Sequence, residues 1–140
     1  MALTVGKKIK GRKRHIVVDT MGNVLSVYVH AANVHDTKAG TEPADRAYER
    51  YRTIRMYCGD EGYRGTFMKH VAINIEDACV TISKRIKPAF HVLPKRWVVE
   101  RTFAWLGNSR RLSKDFEYDP GSSENMLRIS HMSTLLRRVI

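Results

Sequence analysis

The chain has 140 residues, 43% of them apolar, enough for one domain with a real hydrophobic core. Its 25 Lys and Arg against 14 Asp and Glu leave a net charge of +11 and a pI near 10.0, an imbalance that attracts a polyanion, nucleic acid foremost. No apolar run of about 18 residues occurs, and Met1 to Lys8 lacks the apolar stretch of a secretory signal, so no membrane partner and a cytoplasmic, nucleoid-associated setting are expected.

The first feature is a basic segment, residues 6–15, in which Lys7, Lys8, Lys10, Arg12, Lys13 and Arg14 are six cations within eight residues. Gly6 and Gly11 argue against a basic amphipathic helix lying on a membrane, so phosphate binding is the expected use. Two β-rich runs follow, His15 to Asp19 and Val24 to Ala31, separated by Thr20-Met21-Gly22-Asn23, which predicts a hairpin. Asp19 stands at the turn, where Asp commonly caps its own backbone, and a structural role is expected of it.

Asp36-Thr37 is a plausible N-cap for a polar, Ala-containing helix reaching Tyr51 despite Pro43. Ile54 to Cys58 predicts a short strand that runs into Gly59-Asp60-Glu61-Gly62-Tyr63-Arg64-Gly65. Three glycines in seven residues mark a sharp turn, with Asp60 at the strand's carboxyl end. A helix over about 66–77 and a strand over Ala78 to Ile82 come next. Lys84 to Pro94 is a basic loop with two prolines.

The helix through Glu100, ending near Ser109, places one carboxylate among arginines. At 100° per residue, Arg96, Ala104, Gly107 and Arg111 lie within about 40° of Glu100, while Val98, Thr102, Trp105 and Leu106 face away. The plain reading is an Arg/Glu pair on a solvated face, worth a few tenths of a kcal/mol. A last amphipathic helix, capped by Ser122-Ser123-Glu124, carries Met126, Ile129, Met132, Leu136 and Val139. Cys58 and Cys79 have neither zinc spacing nor a disulfide setting and are expected in the core. The six histidines form no ligand motif. The order β-β-α-β-α-β-α-α predicts a single mixed α/β layer domain over 1–140.

Taken together, Gly6 to His15 followed by Val17-Val18-Asp19-Thr20, His30-Ala31-Ala32-Asn33-Val34-His35-Asp36, Asp60-Glu61-Gly62-Tyr63-Arg64-Gly65, Arg96-Trp97-Val98-Val99-Glu100-Arg101 and Arg110 to Glu117 resemble the catalytic part of bacterial insertion-sequence transposases of the DDE type, in the IS-four/IS-five superfamily. The resemblance implies an α/β, ribonuclease H-like mixed sheet flanked by helices. It implies three carboxylates holding Mg²⁺ (or Mn²⁺) ions that cut and join double-stranded DNA at element ends and target. Asp60 matches the second carboxylate and Glu100 the third. Hard divalent cations take oxygen ligands, and two ions about 4 Å apart can stabilise the attacking and leaving oxygens of an in-line displacement. Carboxylates about 4 Å apart repel by roughly 4 kcal/mol at an effective dielectric of 20, and Arg96 is suited to offset this. The expected phosphate contacts are Lys7, Lys8, Lys10, Arg12, Lys13, Arg14, Lys84, Arg85, Lys95 and Arg101.

Two departures stand out. The resemblance implies three strands before the first helix, the first of them bearing an Asp, whereas the residues predict two. The missing strand is therefore expected upstream of Met1, in a neighbouring reading frame, leaving a partial domain that needs that segment and is inactive alone. The superfamily's wider signature also has Tyr and Lys where this chain has Leu93 and Gly107, with Arg110 or Arg111 as replacements for the Lys. A non-catalytic basic DNA-binding remnant, or regulator of transposition, is the competing expectation. Homo-oligomerisation is left open.

Overall fold

The computed structural model describes residues 2–9, 11–75, 78–83, 94–107 and 119–139, the side chains of 2–9, 83, 94–97, 100 and 107 excepted. Three antiparallel strands lead: β1 (Ala2–Ile9), β2 (Arg12–Val18) and β3 (Val24–Ala31). Two short helices, α1 (Asp36–Ala39) and α2 (Thr41–Arg50), precede β4 (Met56–Asp60) and a tight 3-10 turn over Glu61–Tyr63. Then come α3 (Thr66–Asn74), β5 (Cys79–Ser83), α4 (Pro94–Gly107) and α5 (Pro120–Val139).

The sheet order is β3-β2-β1-β4-β5. β1 runs antiparallel to β2, with Leu3 opposite Val18, and parallel to β4, with Leu3 opposite Cys58. β5 is parallel to β4, Asp60 facing Ser83. The carboxyl ends of β1, β4 and β5 therefore share one end of the sheet with the start of β2 and the finish of β3. The β2–β3 turn lies at the other end.

Alternation along the strands sends successive side chains to opposite faces. Ile16, Val18, Val27, Val29 and Cys58 pack with Val99, Phe103 and Leu106 of α4 and Leu127 of α5. Val17 and Tyr57 pack on the other face with Ala44 and Ala47 of α2, and with Phe67 and Val71 of α3. The result is a sheet covered on both sides by helices.

The strand count corrects the sequence reading. Ala2–Ile9 is itself the first of three strands before the first helix, where the residues predicted two. Its Gly6 and lysines hide strand character that comes from pairing on both edges, not from propensity. The expected helix from Asp36 to Tyr51 is broken at Gly40, and its N-cap is His35, without a side-chain cap. Cys58 is buried as expected, whereas Cys79 is exposed.

The last helix is also corrected. It starts at Pro120, where Asp119 Oδ2 accepts from the Ser122 amide at 3.1 Å, and its buried side chains include Ser123, Glu124, Leu127, Ser130 and His131. Ile129, Met132, Leu136 and Val139 face outward. The polar face turns inward because β3 is an edge strand with unpaired amides. Glu124 Oε1 accepts from Val29 N–H and His131 Nε2 from Val24 N–H, both at 3.1 Å. Arg46 binds Glu124 at 3.2 Å and donates to the Val27 carbonyl at 2.9 Å.

Candidate functional site

Asp60 ends β4, and its Oδ1 accepts from the Gly62 amide at 3.0 Å, an Asx-type closure that fixes the carboxylate at the strand's mouth. Asp60 shares strand parity with Cys58, which belongs to the same core cluster as Val99, Phe103 and Leu106 of α4. Gly65, at φ +98°, completes the turn in a conformation side chains rarely adopt. Glu61 and Arg64 pair at 2.8 Å on the open side. Tyr63 is fully buried, its hydroxyl 2.7 Å from His15 Nδ1 on β2. Gly40 makes room for it, since a Cβ there would lie 2.6 Å from the Tyr63 ring.

The sheet end near Asp60 holds a group that sequence reasoning missed. Lys13 Nζ binds Asp36 Oδ1 at 2.9 Å, and His15 Nε2 lies 3.8 Å from the same oxygen. An ideal Cβ on Gly62 would be 3.1 Å from Asp60 Oδ1 and 3.2 Å from Asp36 Oδ2, so both carboxylates border the same glycine. Thr37 ties α1 to this turn, its hydroxyl donating to the Arg64 carbonyl and accepting from the Phe67 amide, each at 3.0 Å. Asp36 was visible in His30-Ala31-Ala32-Asn33-Val34-His35-Asp36, but its local role as a helix start masked its long-range partner.

His15 stacks on His30 at 4.7 Å, and His30 on Tyr28 at 5.2 Å. Burial pushes the His15 pKa down to about 4; the His30 charge works in the same direction, Asp36 against it, and Lys13 lowers it further. The imidazole is thus neutral at physiological pH. Burial likewise lowers His30 and His131.

Asp19 keeps its structural role: Oδ1 accepts from the Met21 and Asn23 amides at 2.9 Å, and Oδ2 from Asn23 Nδ2 at 3.0 Å. β1 carries no carboxylate. On α4, Glu100, Arg96 and Lys95 are helical, but their side chains lie outside the described set. Ala104, one turn beyond Glu100, is exposed. Thr102 Oγ1 reaches the Gly22 carbonyl at 3.2 Å and Arg101 the Met21 carbonyl at 3.1 Å, at the sheet end opposite Asp60.

The basic residues separate. Lys7 and Lys8 lie in β1 opposite Arg14 and Lys13, with undescribed side chains. Arg14 is 4% exposed, Lys13 is engaged by Asp36, and Arg101 also stacks on Trp105 at 4.6 Å. Arg12 stays partly open, whereas Lys10, Lys84, Arg85, Arg110 and Arg111 lie outside the described residues. Among the described residues no three His, Cys, Asp or Glu side chains form a metal-ligand set, and no helix is long and apolar enough to cross a membrane.

Comparison with known proteins agrees with this architecture. The model of the transposase DDE domain family matches residues 4–135. A Burkholderia cepacia protein, provisionally described as the transposase for insertion sequence element IS402, is 31% identical over 115 residues, 76% of this chain and 54% of that protein. The chain thus spans about half the length of that relative. The catalytic core domain of BIV integrase superposes with a TM-score of 0.64 at 14% identity, covering 94% of this chain and 80% of that one. At that identity the likeness is one of fold, and it is the ribonuclease H-like sheet expected from the sequence.

Proposed function

The chain belongs to the transposase DDE domain family, and on that premise we propose that it is the catalytic portion of a transposase that cuts and joins element-end DNA by two-metal phosphoryl transfer. The observation that carries this reading is Asp60, held by the Gly62 amide at the carboxyl end of a parallel strand and sharing parity with Cys58, a member of the core cluster that α4 joins. Asp60 and Glu100 are the proposed carboxylate ligands and Arg96 the balancing cation. Mg²⁺ or Mn²⁺, when bound, supplies Lewis-acid stabilisation of the attacking and leaving oxygens. The protein's part is positioning: the Asx closure stops Asp60 from rotating, and the Tyr63–His15 contact anchors the turn that carries it.

The proposed partners are double-stranded DNA, an upstream-frame segment supplying the first Asp, and a second copy of the chain. A second reading, a non-catalytic DNA-binding remnant, is favoured by the absence of any carboxylate in β1 and by the engagement of Asp19 in its own turn. A metal-dependent nicking assay separates the two. The chain alone binds DNA without cutting it, and adding a segment that bears an Asp-containing strand produces Mn²⁺-dependent nicks under the first reading and none under the second.

A further inference from the structure

We infer that Asp36 is a second carboxylate ligand, with Asp60, of a divalent cation at the β4 end of the sheet. The inference deepens the proposed function and rests on its reading of Asp60 as a metal ligand. Asp36 and Asp60 are brought by the fold to the same glycine, Gly62, where an added Cβ would lie 3.1 Å from Asp60 Oδ1 and 3.2 Å from Asp36 Oδ2. Adjacent oxygen ligands on an octahedral ion with bonds of 2.0–2.1 Å lie about 3 Å apart, so one small ion bordering Gly62 is within the reach of two carboxylates this close to it.

Two further observations point to a cation there. The Lys13 ammonium sits 2.9 Å from Asp36 Oδ1, a positive charge already drawn to this carboxylate. Nearby, His15 is wholly buried with Nδ1 committed to Tyr63, while Nε2 has no hydrogen-bond partner and lies 3.8 Å from Asp36 Oδ1. Buried polar nitrogens are seldom left unpaired. A cation's coordinated water between the carboxylates and His15 would satisfy it. Mg²⁺ suits such a place, because it retains waters and takes one or two carboxylates together with substrate phosphates. Two protein carboxylates then leave positions open for a DNA phosphate. Thr37 holds the arrangement by joining α1 to the turn after Asp60.

The test is Mn²⁺ binding to the whole chain, read by the electron paramagnetic resonance of free Mn²⁺, for wild type, Asp36→Asn, Asp60→Asn and Gly62→Ala. Each Asn variant should weaken binding at least about tenfold, a loss that even outer-shell partners produce. Gly62→Ala keeps both charges and an ordinary backbone, yet sets a methyl against both carboxylates; it should weaken binding while circular dichroism stays unchanged. Wild-type affinity in Gly62→Ala or Asp36→Asn, with Asp60→Asn weakened, overturns the role of Asp36 and leaves the reading of Asp60 intact. Unchanged affinity in Asp60→Asn, or no binding by the wild type, overturns both.

Discussion

The hydroxyl of Tyr63 lies 2.7 Å from Nδ1 of His15, joining the turn after Asp60 to the second strand through two side chains that are wholly out of solvent. Tyr63→Phe keeps the ring's edge contact with Phe67 at 5.3 Å and removes only the hydroxyl. A buried nitrogen left without its partner costs about 1–3 kcal/mol. A urea titration should show the unfolding free energy falling by that amount, as a lower midpoint at unchanged slope; an unaltered midpoint would mean the bond contributes nothing net.

The same histidine makes stability depend on pH. Its pKa falls from 6.5 to about 4 on folding, so between those values the unfolded chain binds more protons than the folded one. Stability contributed by the neutral imidazole is complete above pH 6.5 and is lost as pH falls toward 4, by roughly 3 kcal/mol at 1.36 kcal/mol per unit. The lowered His30 and His131 act in the same direction. Chemical denaturation from pH 7 to pH 4 should show a decline that is flatter in His15→Gln. Equal slopes in both proteins would contradict the assignment.

Glu124 is predicted to guard the open edge of β3. In Glu124→Ala the Val29 amide loses its acceptor and Arg46 one of its two carboxylate partners, Glu42 remaining, a cost of about 1–3 kcal/mol. The uncovered edge should also favour strand-to-strand association. Size-exclusion chromatography should detect larger species in the variant; a monodisperse variant of wild-type stability would show that the α5 contacts are incidental.

DNA affinity should be strongly salt-dependent and weakly sequence-dependent. If about six phosphates are neutralised, log affinity falls against log salt with a slope near −5, at about −0.9 per contact. Replacing Lys7, Lys8 and Lys10 with Ala should flatten the slope by about 3 if all three touch phosphate. Replacing Arg14, which is buried, should leave it unchanged. A wild-type slope near zero in a fluorescence-anisotropy titration would contradict phosphate binding.

What was legible in the chain depended on how local the cause was. The hairpin and the Asp60 turn are written in alternation and in turn residues, and both appear where expected. β1 was hidden because its strand character comes from neighbours on both sides, not from Gly6 and its lysines. α5 was read correctly as a helix and only partly as to face: Met126 packs against the core, whereas Ile129, Met132, Leu136 and Val139 point outward because the edge amides of β3 draw Glu124 and His131 inward. Asp36 showed only its helix-start role, because its approach to Asp60 is made by tertiary structure. Arg96 and Glu100 remain expectations on an observed helix.

The central claim is that Asp60 and Glu100 serve metal-dependent DNA chemistry. The most direct measurement is a strand-transfer assay on element-end DNA in Mg²⁺ or Mn²⁺, using the chain joined to a segment bearing the first Asp, with Asp60→Asn and Glu100→Gln as variants. Each variant keeps the side chain's shape and removes its charge. The predicted result is joined product from the parent and none from either variant, with DNA binding retained in all three; undiminished product from Asp60→Asn or Glu100→Gln would contradict the claim.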